Sequence, residues 1–250
     1  MYSKNIIDGF RTIFSTASVA DACDQILGKT MFLPFEIKNR INDKKIVGPA
    51  VTIYEDVTDE KLPPQHALDA IDESASGSVI VITGNPSLET VAVWGGLMTA
   101  GAVANKHEAA VLNGGVRDLA EIRRDYDFPV YAKTVTPGTT LGRFKTISAN
   151  QPVTIGDVTV NPGDLIVGDI DGVVCVPQAV AAEVLALAQS IDSRELEQAK
   201  LIIQSGSLRE GWRNTAESNL PMPPSANLAD GEPRLSHGER NEAVRYSFIW

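Results

Sequence analysis

Sulfur, histidine and aromatic rings are scarce in this sequence, and each scarcity removes a class of chemistry. Its 250 residues include two cysteines, three histidines and 6% aromatic residues. Cys23 and Cys175 lie far apart and match no metal or redox spacing, so they read as two buried thiols in a reducing cytoplasm. His66, His107 and His237 form no ligand cluster and read as surface or capping histidines. No G-x-G-x-x-G, Walker A, H-E-x-x-H, C-x-x-C or G-x-S-x-G pattern occurs, which withdraws the usual supports for nucleotide, zincin, redox and serine-hydrolase readings. Apolar runs such as Ser78–Thr83 are far shorter than a bilayer span. The stretch Met1–Arg11 carries charges and no apolar segment of the kind a secretory signal needs. Positive charge is short as well: 22 Lys and Arg against 32 Asp and Glu leave a net charge of −10. Neither nucleic acid nor an anionic membrane suits so acidic a chain.

What is present is an ordinary globular composition, 43% hydrophobic and 22% charged, patterned with alternating periods. Helical spacing falls at Ser18–Leu27 with Gly28 as its stop, at Gln65–Glu73 with Leu68 and Ile71 inward, at Gly96–Asn105 and at Leu119–Arg124. Strand patterns fall at Lys45–Tyr54, Ser78–Thr83, Ala109–Leu112 and Pro129–Lys133. Further on, Pro152–Ile155 and Val158–Val160 flank a Gly-Asp hairpin turn, and Asn161–Asp164 is a second turn. Leu165–Val167 and Val173–Val176 bracket Asp169–Gly172, and Gln178–Gln204 reads as one long helix. The class is a mixed α/β domain over residues 1–206. Residues 207–250 are rich in Pro, Ser, Asn and charge, yet hold Trp212, Tyr246, Phe248 and Trp250. They read as an arm packing on its own body or a neighbouring subunit, with a disordered tail as the alternative.

Two segments could carry chemistry. Trp94-Gly95-Gly96-Leu97-Met98 opens a helix, where unpaired N–H groups and the positive dipole end favour a carboxylate. Paired glycines would let a ligand reach that backbone, although they could equally serve close helix–strand packing. Asn113-Gly114-Gly115-Val116-Arg117-Asp118-Leu119-Ala120-Glu121 follows a buried strand, at the carboxyl end where open α/β sheets place ligands. Arg117 offers a planar fork for a carboxylate, and Asp118 offers hard oxygen for a divalent cation. Asp118-x-x-Glu121 is also the Asp form of a helix capping box, which would explain both acids without a metal. Asp169 and Asp171 belong to turn chemistry. Lys133, Arg143 and Lys145 could add positive charge near an anionic substrate, or be solvated loop residues.

Gly96, twenty further residues, then Arg117-Asp118-x-x-Glu121 resembles the signature of the 4-hydroxy-4-methyl-2-oxoglutarate/4-carboxy-4-hydroxy-2-oxoadipate aldolases. That family includes the RraA-type regulators of ribonuclease E. The likeness runs from about Thr16 to Gly206 and takes in Phe128–Ala132, Val158–Asp164 and Asp169–Val174. It implies a three-layer ββα sandwich of the swivelling phosphohistidine-domain type, assembled as homotrimers or homohexamers with sites between subunits. It also implies a class II lyase that cleaves 4-hydroxy-2-oxo acids to pyruvate and a second oxo acid, with oxaloacetate decarboxylation alongside. By the same resemblance Arg117 binds the substrate's carboxylate and carbonyl, Asp118 holds Mg²⁺ or Mn²⁺, and the amides of Leu97 and Met98 receive the pyruvyl carboxylate. Gly95 and Gly96 complete the substrate seat, while Glu121 and a neighbour's Glu197 stand behind the metal. The alternative is a non-catalytic RraA-like protein that binds and inhibits a ribonuclease. Many of these aldolases carry an acid where this chain has Gly96, and residues 207–250 lie outside the family pattern.

Overall fold

The computed structural model describes residues 2–212, apart from the side chains of Glu210 and Trp212. It divides the chain into two compact units, Met1–Glu197 and Gln198–Trp250. His237, Tyr246, Phe248 and Trp250 lie outside the described residues, and with them nearly all of the expected C-terminal arm.

The chain opens with helices α1 (Lys4–Thr12) and α2 (Thr16–Leu27), followed by a short edge strand β1 (Lys38–Asn39). Strand β2 (Ile46–Val57), helix α3 (Gln65–Glu73), strands β3 (Val79–Gly84) and β4 (Ala92–Trp94), and helix α4 (Gly96–Ala104) come next. Strand β5 (Ala109–Val116), the short helix α5 (Leu119–Glu121), and strands β6 (Val130–Val135) and β7 (Phe144–Ala149) complete the part that builds the site. The remainder is a hairpin of β8 (Val153–Ile155) and β9 (Val158–Val160), a second antiparallel pair β10 (Leu165–Gly168) and β11 (Val173–Val176), and helices α6 (Ala181–Ser205) and α7 (Leu208–Trp212). Gly206, between the last two, takes a left-handed φ of 67°.

The expected α/β class holds. Among the described residues, β1-β6-β5-β3-β2-β10-β11 form one mixed sheet, with β4 added to β5 and β7 to β2. Strands β2, β3, β5 and β6 run parallel. The twelve-residue β2 is long enough to pair antiparallel with β10 at its start and with β7 at its end, on the same edge. Central strands buried on both faces are continuously apolar, as Val79–Ile82 shows with four fully buried side chains. Each such side chain contributes about 1.5–3 kcal/mol relative to exposure.

The pleat sends alternate residues to two cores. Ala50, Val79, Val81, Ala109 and Val111 meet α1, α2, α6 and the β8–β9 hairpin. Val51, Ile53, Ile80, Ile82, Ala110 and Leu112 meet α3, α4, Leu88 and Trp94 on the opposite face. Helix α2 starts and stops as its residues dictate. The Ser15 hydroxyl accepts from the Ala17 amide at 2.9 Å, and Gly28 ends the helix at φ 63°.

Several expectations need correction. Leu68 does not turn inward: α3 buries Ala67, Ala70 and Ile71 and leaves Leu68 38% exposed. Strand β5 does not stop at Leu112 but continues through Asn113-Gly114-Gly115 to Val116, because β4 and β6 flank it there. The segment 119–124 is one α-turn running into a π-helical turn, Ile122–Tyr126. His107 is no surface histidine; it is buried with Nε2 2.7 Å from the Ile71 carbonyl. The buried-thiol reading stands: both cysteines are free and buried, and burial pushes the Cys23 thiol up to about 12. A thiol held protonated in this way is a poor nucleophile.

Candidate active site

Pairing of β4 with β5 brings the two sequence segments together. Trp94 lies beside Val116 in parallel register, so Gly95-Gly96 and Arg117-Asp118 leave the sheet side by side. The Arg117 amide donates to the Trp94 carbonyl at 3.0 Å, which fixes that register at its last rung. Trp94 is anchored behind. Its ring stacks on Phe128 at 6.2 Å, and its Nε1–H donates to Thr99 Oγ1 at 2.8 Å. Thr99 in turn donates its hydroxyl to the Gly95 carbonyl at 3.0 Å, so the tryptophan, the glycine and the first turn of α4 form one rigid unit.

The need for glycine here is steric. A Cβ on Gly95 would stand 2.7 Å from Asp118 Oδ2 and 3.1 Å from Arg117 Nε. On Gly96 it would meet the Glu121 carboxylate at 2.5–2.7 Å. The two glycines are therefore the cradle into which Arg117, Asp118 and Glu121 fit, and the bare helix-packing explanation does not account for them. Glu121 fills the space over Gly96 where a side chain at position 96 would project.

The capping-box reading of Asp118 fails on geometry. Asp118 adopts φ 60°, a left-handed conformation that Asp tolerates better than most residues, and its side chain makes no capping bond to α5. Its Oδ2 accepts instead from the Gly96 amide at 3.0 Å, at the N-terminus of α4. Arg117 Nε lies 3.5 Å from the same oxygen. Both side chains are about two-fifths exposed, so the pair is reachable from solvent. The Leu97 and Met98 amides belong to the first turn of α4, where no intrahelical acceptor exists.

These residues line a cleft of about 250 Å³. Its lining joins Gly95, Gly96, Leu97, Met98, Arg117 and Asp118 to Leu62, Pro64, Leu68, Thr139, Thr140 and Leu141. The loop carrying the threonines is pinned where the Ala92 amide donates to the Gly138 carbonyl at 2.8 Å. This second group of lining residues is not legible in the sequence, although Pro63-Pro64 and Pro137-Gly138 mark its two loops.

Other nominated residues do not join the cleft. Glu197 is exposed on α6 and does not line it within one chain. Lys133 is paired with Glu89 at 2.7 Å, and Arg143 Nη1 donates to the Thr139 carbonyl at 3.0 Å. Lys145 lies in β7, away from the lining. Asp169 and Asp171 serve the start of α2, as turn chemistry suggested: Asp169 accepts from the Thr16 amide and hydroxyl at 2.7 Å each, and Asp171 accepts from Ser15.

Among the described residues no group of three His, Cys, Asp or Glu side chains is placed to hold a metal ion. The donor set nevertheless fits Mg²⁺ or Mn²⁺ of the kind that takes one or two carboxylates and keeps its waters. Asp118 is half-exposed hard oxygen, and Glu121 is beside it over a side-chain-free cradle.

With this geometry in hand, the similarities to known proteins are informative. Residues 16–175 match the model of the RraA-like family, described as Aldolase/RraA. The chain is 34% identical over 202 residues to the protein DlpA of Legionella pneumophila, covering 80% of this chain but only 32% of that one. It therefore spans about a third of the Legionella protein's length. It is 31% identical over 188 residues to a Halalkalibacterium halodurans protein named "Putative 4-hydroxy-4-methyl-2-oxoglutarate aldolase", covering 74% of this chain and 82% of that one. A crystal structure of an uncharacterised Pseudomonas syringae protein superposes with a TM-score of 0.77 at 29% identity, covering 86% of this chain and 95% of that one. For a Streptomyces coelicolor member of the RNase ES inhibitor RraA family the TM-score is 0.68 at 22% identity, over 80% and 98% of the two chains, a likeness of fold. The matched segment contains the whole Trp94–Met98 and Arg117–Glu121 cradle, and on that match the chain belongs to the RraA-like family of aldolases and RraA proteins.

Proposed function

We propose that this protein is a carbon–carbon lyase that cleaves small 4-hydroxy-2-oxo acids to pyruvate and a second oxo compound, and that decarboxylates oxaloacetate as a side reaction. The observation that carries the reading is the convergence of Arg117, Asp118 and the Gly95-Gly96 helix start in one cleft. An anion-binding helix start beside a guanidinium suits the 2-oxo acid head.

The reaction breaks the C3–C4 bond. The 4-hydroxyl loses its proton as C4 becomes a carbonyl, and the electron pair passes to C3 and the 2-oxo oxygen as the enolate of pyruvate. Arg117 places fixed positive charge where that oxygen becomes negative, and the Leu97 and Met98 amides orient the carboxylate. A Mg²⁺ or Mn²⁺ ion held by Asp118, with Glu121 behind it, would supply Lewis acidity toward the same oxygen. No histidine or lysine is among the described residues of the cleft, which leaves water to carry the proton to and from C3 and the hydroxyl. Loss of CO₂ from oxaloacetate yields the same enolate, which is why both activities are expected of one site.

A rival reading is a non-catalytic inhibitor of a ribonuclease, suggested by the net charge of −10 and by the RraA name on structural neighbours. Pyruvate release from 4-hydroxy-2-oxo acids and oxaloacetate, with EDTA and with Mg²⁺ or Mn²⁺ restored, separates the two. Metal-dependent release supports the lyase. No turnover of any such acid, together with inhibition of a ribonuclease, supports the rival.

A further inference from the structure

Beyond the 2-oxo acid head, the cleft itself describes the rest of the substrate. Among the described residues that one chain brings to the lining, Arg117 and Asp118 alone carry charge, and the pyruvyl head is assigned to them. The lining also holds Leu62, Pro64, Leu68 and Leu141, with the neutral Thr139 and Thr140. The three leucines are 40%, 38% and 48% exposed, while α3 turns Ala67, Ala70 and Ile71 inward. Apolar side chains held open toward a cleft of about 250 Å³ suit a small, largely uncharged ligand. Lys61 and Arg143 belong to the two flanking loops but lie outside the lining, and Arg143 uses Nη1 on the Thr139 carbonyl.

We infer that the cleft selects 4-hydroxy-2-oxo acids whose C4 substituents are apolar, so that the second product is a simple aldehyde or ketone rather than another carboxylated oxo acid. This rests on the lyase reading, since Arg117 and the α4 start must first hold the pyruvyl head. A carboxylate on C4 would then lie against Leu62, Leu68 and Leu141, giving up water without gaining a cation. An alkyl group in the same place is removed from water against carbon, which is favourable.

The experiment uses the full chain with Mg²⁺ or Mn²⁺ and two readouts. Exchange of the pyruvate methyl protons in D₂O, followed by NMR, reports the head site alone. Values of kcat/KM for 4-hydroxy-2-oxohexanoate and 4-hydroxy-2-oxoheptanoate, set against 4-hydroxy-4-methyl-2-oxoglutarate and 4-carboxy-4-hydroxy-2-oxoadipate, report the tail. The expected result is exchange together with a preference of about 100-fold or more for the apolar acids, the scale set by an unpaired charge in an apolar pocket. Leu68→Lys, and independently the loop variant Leu141→Lys, should move that ratio at least about tenfold toward the carboxylated acids. Exchange with equal or reversed preference overturns the inference and leaves the lyase reading in place. No exchange and no turnover of any acid overturns both. If the lysine variants change the oligomeric mass but not the substrate ratio, the leucines are a contact between copies and the inference is wrong.

Discussion

The acidic residues on the two faces of the sheet are treated very differently by their surroundings. On the face covered by α1, α2 and α6, Asp164 accepts from the Asn161 and Gln178 amides at 2.8 and 3.0 Å, and Asp192 accepts from the Phe14 amide and Ser18 hydroxyl. Asp169 is saturated in the same way by Thr16 and the Asp171 amide. These carboxylates are construction: they hold turns and helix starts, and each of their oxygens accepts a hydrogen bond. On the other face Glu55 is buried, and among the described residues neither of its oxygens has a hydrogen-bond partner. At its end Asp118 and Glu121 stand over glycines, with Asp118 anchored through one oxygen and half-exposed. Spare capacity in a carboxylate marks where binding and proton chemistry can occur, and saturation marks where they cannot.

The contrast is tested most severely at the cradle. Arg117→Ala and Asp118→Asn should each lower kcat/KM by about 10³-fold or more, because each removes fixed charge from the reacting oxygen. Thermal midpoints should barely move, since both side chains are two-fifths exposed and neither caps α5. A large loss of stability with activity retained would make Asp118 structural after all.

Glu55 supplies the second test. It pairs with Thr146 of β7, whose Oγ1 accepts from the His66 amide of α3, and among the described residues no hydrogen bond compensates its burial. Desolvation pushes its carboxyl up to about 7 from an ordinary 4.5. The folded state thus keeps a proton that the unfolded state gives up. The stability it contributes is fully present below pH 4.5, falls as pH rises, and is lost once pH passes about 7. At 1.4 kcal/mol per unit this amounts to about 3 kcal/mol across the window. Urea unfolding at pH 5 and pH 8 should show that slope, and Glu55→Gln should flatten it. An unchanged slope in the variant would assign it to other groups.

Gly95 probes the steric side of the same cradle. Gly95→Ala should cut kcat/KM by about 10²-fold, since the new methyl would stand 2.7 Å from Asp118 Oδ2 and force the carboxylate or the Arg117 side chain aside. Its extended φ of −159° suits alanine, so the unfolding midpoint should change little. Activity equal to the parent would mean that the cradle has slack the geometry does not show.

Much of this arrangement was legible in the chain, and the illegible part has a common cause. Periodicity located α2, α3, β3 and the β8–β9 hairpin because each is specified by neighbours in sequence. The ends of β4 and β5 were not legible: Gly114-Gly115 looks like a loop until flanking strands recruit it, and Ala92–Trp94 is too short for a period. Asp118-x-x-Glu121 satisfied two local grammars at once, a helix cap and a ligand pair. Only the partner across the chain, the Gly96 amide, distinguishes them. Leu68 fitted the inward stripe of α3 yet borders the cleft, a choice set by what packs on the helix.

The smallest expected effect lies on the saturated face, and it completes the comparison. Asp169 spends one carboxylate on three donors, the Thr16 amide, the Thr16 hydroxyl and the Asp171 amide. It thereby ties the β10–β11 turn to the first residue of α2. Ser15 already caps the Ala17 amide, so α2 keeps one of its satisfied donors without Asp169. Asp169→Ala should therefore cost about 2 kcal/mol, the upper end for losing a cap, because Thr16 is buried and its amide and hydroxyl would both lose their acceptor. Because Thr16 and Asp169 are no part of the cleft lining, kcat/KM should stay at the parent value. Denaturant midpoints and steady-state kinetics measured on the same preparation decide it. A drop in kcat/KM with stability intact would mean that the saturated face reaches the cleft, and the division between construction and chemistry drawn from these carboxylates would not hold.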